Sequence, residues 1–223
     1  MKIYRKIISI IITFSVLLVS VSTVASASEE NRLLIPNARW IHMAYNSNNK
    51  PSITATFNIT GLDGQWDNPA IYFAAFSNLM NGLDQRVILT YLVSNPQSAD
   101  IELKTPDTWI YPSELYGFTT LFNNYGMLYD GGMTNMGVTV QQFGTKINKG
   151  YVLLNPFSTY PSIRDMRKTL AHEIMHCFNF AHPPYNNMQT IMRNGFNLDW
   201  DNYEIPTAYD LRLFEITYNQ IYS

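Results

Sequence analysis

Three of the chain's four histidines lie in one short segment, "HEIMHCFNFAH", which spans residues 172–182. His172 and His176 are four residues apart, so on a helix their side chains project from the same face. Two imidazoles placed in this way can bind a single metal ion, and His182 follows six residues later as a third candidate ligand. The spacing therefore predicts a metal site formed by His172, His176 and His182.

Glu173 suggests that this metal site is catalytic. On a helix it lies about 100° round the axis from His172, so it is better placed to reach a water molecule than to bind the metal itself. Three protein ligands leave one coordination position open, as in catalytic zinc sites, and three neutral nitrogens favour zinc. We therefore expect one catalytic Zn²⁺ that lowers the pKa of its water, with Glu173 as the general base.

The segment resembles the extended zinc motif of the metzincin metallopeptidases, H-E-x-x-H-x-x-G-x-x-H. His172, Glu173, His176 and His182 match this motif, and Asn179 departs from it. A second resemblance is the sequence "TIM", Thr190 to Met192, which is similar to the methionine turn beneath the zinc of that family and marks Met192 as its turn residue. Some relatives have a tyrosine ligand two residues later, but here that position is Asn194, so we assign no such ligand.

The resemblance implies a fold and an activity. The predicted order of elements over most of residues 38–223 is similar to that of matrixin-like metzincins, although only the zinc and methionine motifs are specific. An α+β zincin fold is implied, in which a twisted mixed β-sheet packs on a zinc-binding helix and a helix ends the chain. The implied activity is zinc-dependent endopeptidase hydrolysis of a protein or peptide substrate, extended along an edge strand that we place in "GVTVQQ", residues 137–142.

Asn179 raises the question of how the chain reaches His182. The helix must end soon after His176, which usually requires a residue with positive φ just past the helix end. Glycine adopts that conformation most easily, and asparagine is the next best residue. We therefore predict a positive φ at Asn179, and we expect glycine there to be neutral or slightly favourable.

The elements that must position these residues are also predicted. Ser162 and Asp165 form a capping-box-like start for the zinc helix, and Pro183-Pro184 prevents its continuation. A helix near 69–81 and a C-terminal helix capped by Thr207 are predicted by similar signals. Strands are predicted in "RWIHMAY", "SITATFNI", "RVILTYLV", "ADIELK", "GVTVQQFG" and "YVLLNP". Residues 105–136, rich in Gly, Asn, Tyr and Pro, are predicted to be a long irregular connection.

The N-terminus has the features of an export signal. A basic start is followed by an apolar run and by the small-residue cleavage site Ala25-Ser26-Ala27, so residues 1–27 are predicted to be a signal peptide and residues 28–223 the mature catalytic domain. An uncleaved membrane anchor is the alternative. We expect a secreted monomer without stable membrane association after cleavage.

Composition limits the other classes of function. The chain has 223 residues, of which 46% are hydrophobic and only 14% charged, without a Lys/Arg patch that would favour nucleic acid. Cys177 is the only cysteine, so no intrachain disulfide can form. Calcium sites are a further option, since the acidic stretches "GLDGQWD" and "NLDWDNYE" could bind Ca²⁺, although neither matches a known loop.

Two alternative functions are weighed against a peptidase. The chain could be an inactive metzincin-like protein with a metal-binding or adhesion role, but the intact Glu173 favours catalysis. It could also be a zinc hydrolase of non-peptide amides, although such sites do not usually draw three histidines from one short segment. The secreted zinc endopeptidase is the preferred interpretation.

Overall fold

A computed structural model describes residues 33–35, 38–91, 95–138, 144, 146–160, 162–183, 189–193 and 204–219. The predicted signal peptide lies outside these ranges, as does most of the predicted strand "GVTVQQFG". Within the described part of the chain, no helix is long and apolar enough to cross a bilayer.

A mixed β-sheet forms the framework. The strands are β1 (Arg39–Trp40), β2 (Met43–Tyr45), β3 (Pro51–Gly61), β4 (Val87–Tyr91), β5 (Ile101–Lys104), β6 (Gly117–Asn123), β7 (Gly126–Asp130), β8 (Lys146–Ile147) and β9 (Lys149–Leu154). Seven of them form one sheet in the order β2-β3-β5-β9-β6-β7, with β4 also paired to β3, while β1 and β8 pair separately. The strands β3, β4, β5 and β9 pair in parallel, whereas β6 runs antiparallel to β9 and to β7.

Four α-helices accompany these strands in the described ranges: α1 (Pro69–Gly82), α2 (Gly131–Asn135), α3 (Ile163–Cys177) and α4 (Ala208–Asn219). The caps predicted for the zinc helix and the C-terminal helix are confirmed, and α1 is capped as well. Asn68 caps α1, the Ser162 hydroxyl accepts from Asp165 N at the start of α3, and Thr207 and Asp210 bond reciprocally at the start of α4.

Helix α3 packs against α1 and the strands β6 and β9. An apolar stripe of α3 is buried, namely Met166, Leu170, Ile174 and Cys177. Strand β9 alternates half-buried and buried residues, as a strand packed on one face does. At Gly150 a Cβ atom would come within 2.7 Å of Cys177 Sγ, so only glycine permits this close approach of strand and helix.

One prediction about the elements is wrong. Residues 105–136 do not form an irregular connection, because they contain the hairpin β6–β7 and the short helix α2. The hairpin turns through Asn123, whose side chain accepts from Tyr125 N and Gly126 N, and Gly126 has a φ of 135°. Thus the Gly and Asn residues that were interpreted as loop form the turn of a buried hairpin.

Candidate metal centre

The three histidines converge as the sequence predicts. His172 Nε2 lies 3.0 Å from His182 Nε2, and His176 Nε2 lies 3.2 Å from the same atom. Nitrogens bound to one zinc at about 2.0–2.1 Å in tetrahedral geometry are about 3.4 Å apart, so the observed spacing is close to what a bound ion requires. Among the described residues, these three form the only group of His, Cys, Asp or Glu that could hold a metal ion.

Two backbone carbonyls orient the imidazoles. Ile191 O lies 2.9 Å from Nδ1 of His172, and Phe180 O lies 2.6 Å from Nδ1 of His176. A ring nitrogen that faces a carbonyl carries the proton, because the carbonyl can only accept. The Nε2 atoms of His172 and His176 are therefore the unprotonated ring nitrogens, the form that a metal ligand requires.

The electrostatic environment keeps the three rings neutral. Burial, and secondarily the neighbouring His182, lowers the pKa of His172 to about 3, and burial lowers the pKa of His182 to about 4. Burial and the two other imidazoles hold the pKa of His176 well below its usual range. Neutral nitrogen lone pairs directed at one another repel unless a cation lies between them, so the residues present fit a metal ion.

Glu173 is buried beside the histidines, and its carboxylate has a defined partner. Thr119 Oγ1, on β6, lies 2.9 Å from Glu173 Oε2 and 2.7 Å from the backbone oxygen of Glu173. Burial raises the pKa of Glu173 to about 8, and the hydrogen bond from Thr119 opposes this shift. A cation held by the histidines would favour the ionised carboxylate.

Sequence reasoning missed Thr119, because it lies in the hairpin interpreted as a loop. No motif marks it, and only the pairing of β6 with β9 brings it to α3. It is one of several residues outside the zinc motif that line a cleft with His172, Glu173, His176 and His182. The cleft is also lined by Glu114, Leu115, Tyr116, Gly117, Phe118, Thr119, Tyr129, Gly131, Asn135, Thr169 and Arg193.

The segment that resembles a methionine turn is buried next to the site. Thr190 to Met192 form a turn, Met192 is 1% exposed, and the carbonyl of Ile191 accepts from His172. Asp210 of α4 holds this segment, since its carboxylate accepts from Thr190 Oγ1 and from Ile191 N, the latter at 3.2 Å. Met192 therefore belongs to the buried support of the histidines, whereas the position of the absent tyrosine, Asn194, lies outside the described residues.

Asn179 has the predicted backbone conformation. Helix α3 ends at Cys177, and Asn179 follows with a φ of 72°. This left-handed residue turns the chain so that His182 returns to the other two histidines. The conformation that the sequence predicts is thus confirmed.

The structure argues against the expectation that glycine would be neutral or slightly favourable at residue 179. The Asn179 side chain is fully buried and makes three hydrogen bonds, accepting from Ile35 N and donating to Ile35 O and Ala38 O, each at 2.9 Å. Glycine would keep the turn but remove all three bonds. The side chain therefore matters as much as the backbone.

The remaining candidate ligands do not join the site. Cys177 is buried in the core, and burial raises the pKa of its thiol, as expected for a small apolar residue rather than a ligand. In the first acidic stretch the Asp63 side chain accepts from Gly64 N. Most of the second stretch, residues 197–204, lies outside the described residues, so the calcium option stays a prediction.

Comparison with known proteins gives a distant likeness. No protein-family model matches the sequence, and no curated protein matches it. Two solved structures of myroilysin are similar to the chain at 12% sequence identity. One has a TM-score of 0.41 and covers 74% of this chain and 92% of that one; the other has a TM-score of 0.42 and covers 81% and 90%. The chemistry of the site is therefore inferred from its own residues.

Proposed function

We propose that this chain is a zinc-dependent endopeptidase of the metzincin type. The observation that carries the proposal is the convergence of three histidine side chains beside a buried carboxylate, all of which line one cleft. His172, His176 and His182 would hold the metal. The chemistry that zinc supplies in such sites is Lewis acidity, which polarises a carbonyl and acidifies water.

Glu173 is the proposed general base and acid. Thr119 occupies Oε2, which leaves Oε1 to accept the proton of the attacking water. The same oxygen then delivers that proton to the nitrogen of the leaving amine. The hydroxyl of Thr119 also limits rotation of the carboxylate of Glu173, which lines the cleft.

The substrate is proposed to lie extended along an edge strand, for which "GVTVQQ" stays the prediction and β6 is an alternative. Residues 137 and 138 are not in a strand, and residues 139–142 lie outside the described ranges. Strand β6 pairs with β7 only from Thr120 onward, whereas Gly117 and Phe118 line the cleft. An extended peptide can add to a strand at such a position.

The test is digestion of a peptide library by the chain from Ser28 onward, with and without a chelator. We expect cleavage that the chelator abolishes and that zinc restores. Stoichiometric zinc without cleavage of any peptide would instead favour the inactive metal-binding alternative. Cleavage that survives complete removal of metal would refute the proposal.

Secretion and the monomeric state remain part of the proposal. The predicted signal peptide implies that the exported chain begins at Ser28. Sequencing of the N-terminus of protein recovered outside the producing cell tests the cleavage site. Its mass in solution, measured by light scattering, tests the monomer.

A further inference from the structure

The first described residues of the chain pack against the turn between two of the histidines. We call Leu33, Leu34, Ile35 and Ala38 the N-terminal strap. Leu33 forms an isolated antiparallel bridge with Phe180, and Leu34 N donates to Asn179 O at 3.0 Å. Ile35 and Ala38 are both buried. The strap therefore runs alongside the segment that connects His176 to His182.

Asn179 makes most of the contact with this strap. The side-chain oxygen Oδ1 accepts from Ile35 N, and the side-chain nitrogen Nδ2 donates to Ile35 O and to Ala38 O. The side-chain amide thus provides one acceptor and two donor hydrogens to the backbone of the strap, as a neighbouring β-strand would. Aspartate has similar shape but cannot donate when ionised, and glycine has no side chain at all.

The turn that the strap holds is also the turn that orients a histidine. Asn179 N donates to His176 O at 2.9 Å, and the next residue, Phe180, provides the carbonyl that accepts from Nδ1 of His176. Phe180 is consequently held from two sides, by Leu33 of the strap and by the ring of His176. Displacement of the strap would move the carbonyl that fixes the tautomer of His176.

We infer that Asn179 is a positioning residue for the metal site, and that its amide couples the N-terminal strap to the orientation of His176 and His182. The inference rests on the proposed metal-binding role of these histidines. It predicts that the asparagine at this position, where the resembled motif has glycine, increases metal affinity by holding the ligand turn. A purely structural role would change the stability of the fold and leave the affinity of the folded site unchanged.

The experiment compares Asn179→Gly with a matched control, Asn49→Gly. Asn49 also has a positive φ, of 56°, but it lies in the exposed turn before β3. Both substitutions therefore replace a left-handed asparagine with glycine, and only one removes the strap contact. The zinc dissociation constant is measured by competition with a chromophoric chelator, at a temperature at which circular dichroism shows every metal-free variant to be folded.

We expect Asn179→Gly to weaken zinc binding roughly tenfold, as is typical for loss of groups that support a ligand, and Asn49→Gly to leave it unchanged. Nuclear magnetic resonance gives a second readout, the solvent exchange of the Nδ1 proton of His176, which should become faster only in Asn179→Gly. If Asn179→Gly does not fold, Asn179→Ser, which is small and uncharged and keeps one hydroxyl for the strap, permits the same comparison.

Wild-type zinc affinity and wild-type proton exchange in a folded Asn179 variant would overturn the inference, even if that variant were less stable. Neither readout requires peptide cleavage. Failure of the wild-type chain to cleave peptides would refute the proposed endopeptidase and leave this comparison intact.

Discussion

At the scale of single residues, the position of Glu173 separates catalysis from metal binding. Its carboxylate is bonded to Thr119 rather than to any histidine. The substitution Glu173→Gln preserves shape and can still accept from Thr119, but it cannot take a proton. We expect zinc content to be unchanged and turnover of a cleaved peptide to fall by about 10²–10⁴-fold.

Zinc analysis alongside the turnover assay is the control for Glu173→Gln. Loss of metal together with activity would mean that the carboxylate supports the ligands instead. Near-normal turnover with full zinc would remove Glu173 from its proposed role.

The buried titratable groups also predict how the stability of the metal-free chain depends on pH. Unfolded histidines titrate near pH 6.5, whereas burial holds the pKa of His172 at about 3 and that of His182 at about 4. Below about pH 6.5 the unfolded state therefore binds more protons, and the free energy of unfolding falls as the pH drops toward 4. Glu173 has the opposite effect, because its pKa is about 8 in the fold and about 4.3 when unfolded. Its contribution to the free energy of unfolding therefore falls as the pH rises between these two values.

Metal-free protein should thus be most stable near pH 6.5 and lose stability on both sides. Urea unfolding across a pH series in the presence of a chelator measures this profile. Glu173→Gln should reduce the loss between about pH 6.5 and 8 and keep the loss in acid. If the stability of the wild-type chain did not decline in acid, the histidines would not be buried in the metal-free state.

Asn179 shows what the sequence can and cannot predict about a residue. Its positive φ follows from local constraints, since a helix that must end between His176 and His182 needs a left-handed residue. Its three side-chain hydrogen bonds do not follow from local constraints, because the partner Ile35 is 144 residues away in the chain. Local geometry is encoded in the neighbouring residues, whereas this contact depends on the complete fold.

At the scale of elements, the same distinction explains the hairpin β6–β7. Helix α3 was predictable because its cap, its apolar spacing and its histidines all lie within one segment. The hairpin has little polar alternation, since five of the seven residues in β6 are buried, and its turn has the composition of a loop. Pairing with β9 stabilises it, and that pairing brings Thr119 to Glu173.

The turn at Thr190–Met192 is the element on which we expect the site to depend most. Met192 is buried in the apolar core, so leucine, which is close in volume, should cost less than about 1.5 kcal/mol. A buried aspartate without a partner should prevent folding. The variants Met192→Leu and Met192→Asp are compared by thermal unfolding and zinc content.

We expect Met192→Leu to retain zinc and most activity. Its result is the more informative of the two, because the aspartate variant reports only burial. A leucine variant that folds normally but loses zinc would mean that the thioether itself matters to the ligands.

At the scale of the whole molecule, stability has to come from the core and from the ion that we propose, because the single cysteine permits no intrachain disulfide. The proposed ligands belong to two segments, helix α3 and the chain after it, and their supporting carbonyls come from Phe180 and Ile191. Through Ile191 and Asp210 the site is also connected to α4. A bound ion would therefore hold together parts of the fold that otherwise meet only through packing.

Binding of zinc to the native state alone should make the melting temperature depend on free zinc. Each tenfold rise in free zinc above the dissociation constant adds about 1.4 kcal/mol to the free energy of unfolding. For a chain of this size, about 1 kcal/mol corresponds to a shift of roughly 2–4 °C, so we expect roughly 3–6 °C per decade of metal. Thermal unfolding in zinc buffers measures the slope, and His182→Ala, which removes the half-buried ligand, should flatten it. A wild-type melting temperature that is the same in zinc and in chelator would show that the three histidines do not bind the ion in the folded state.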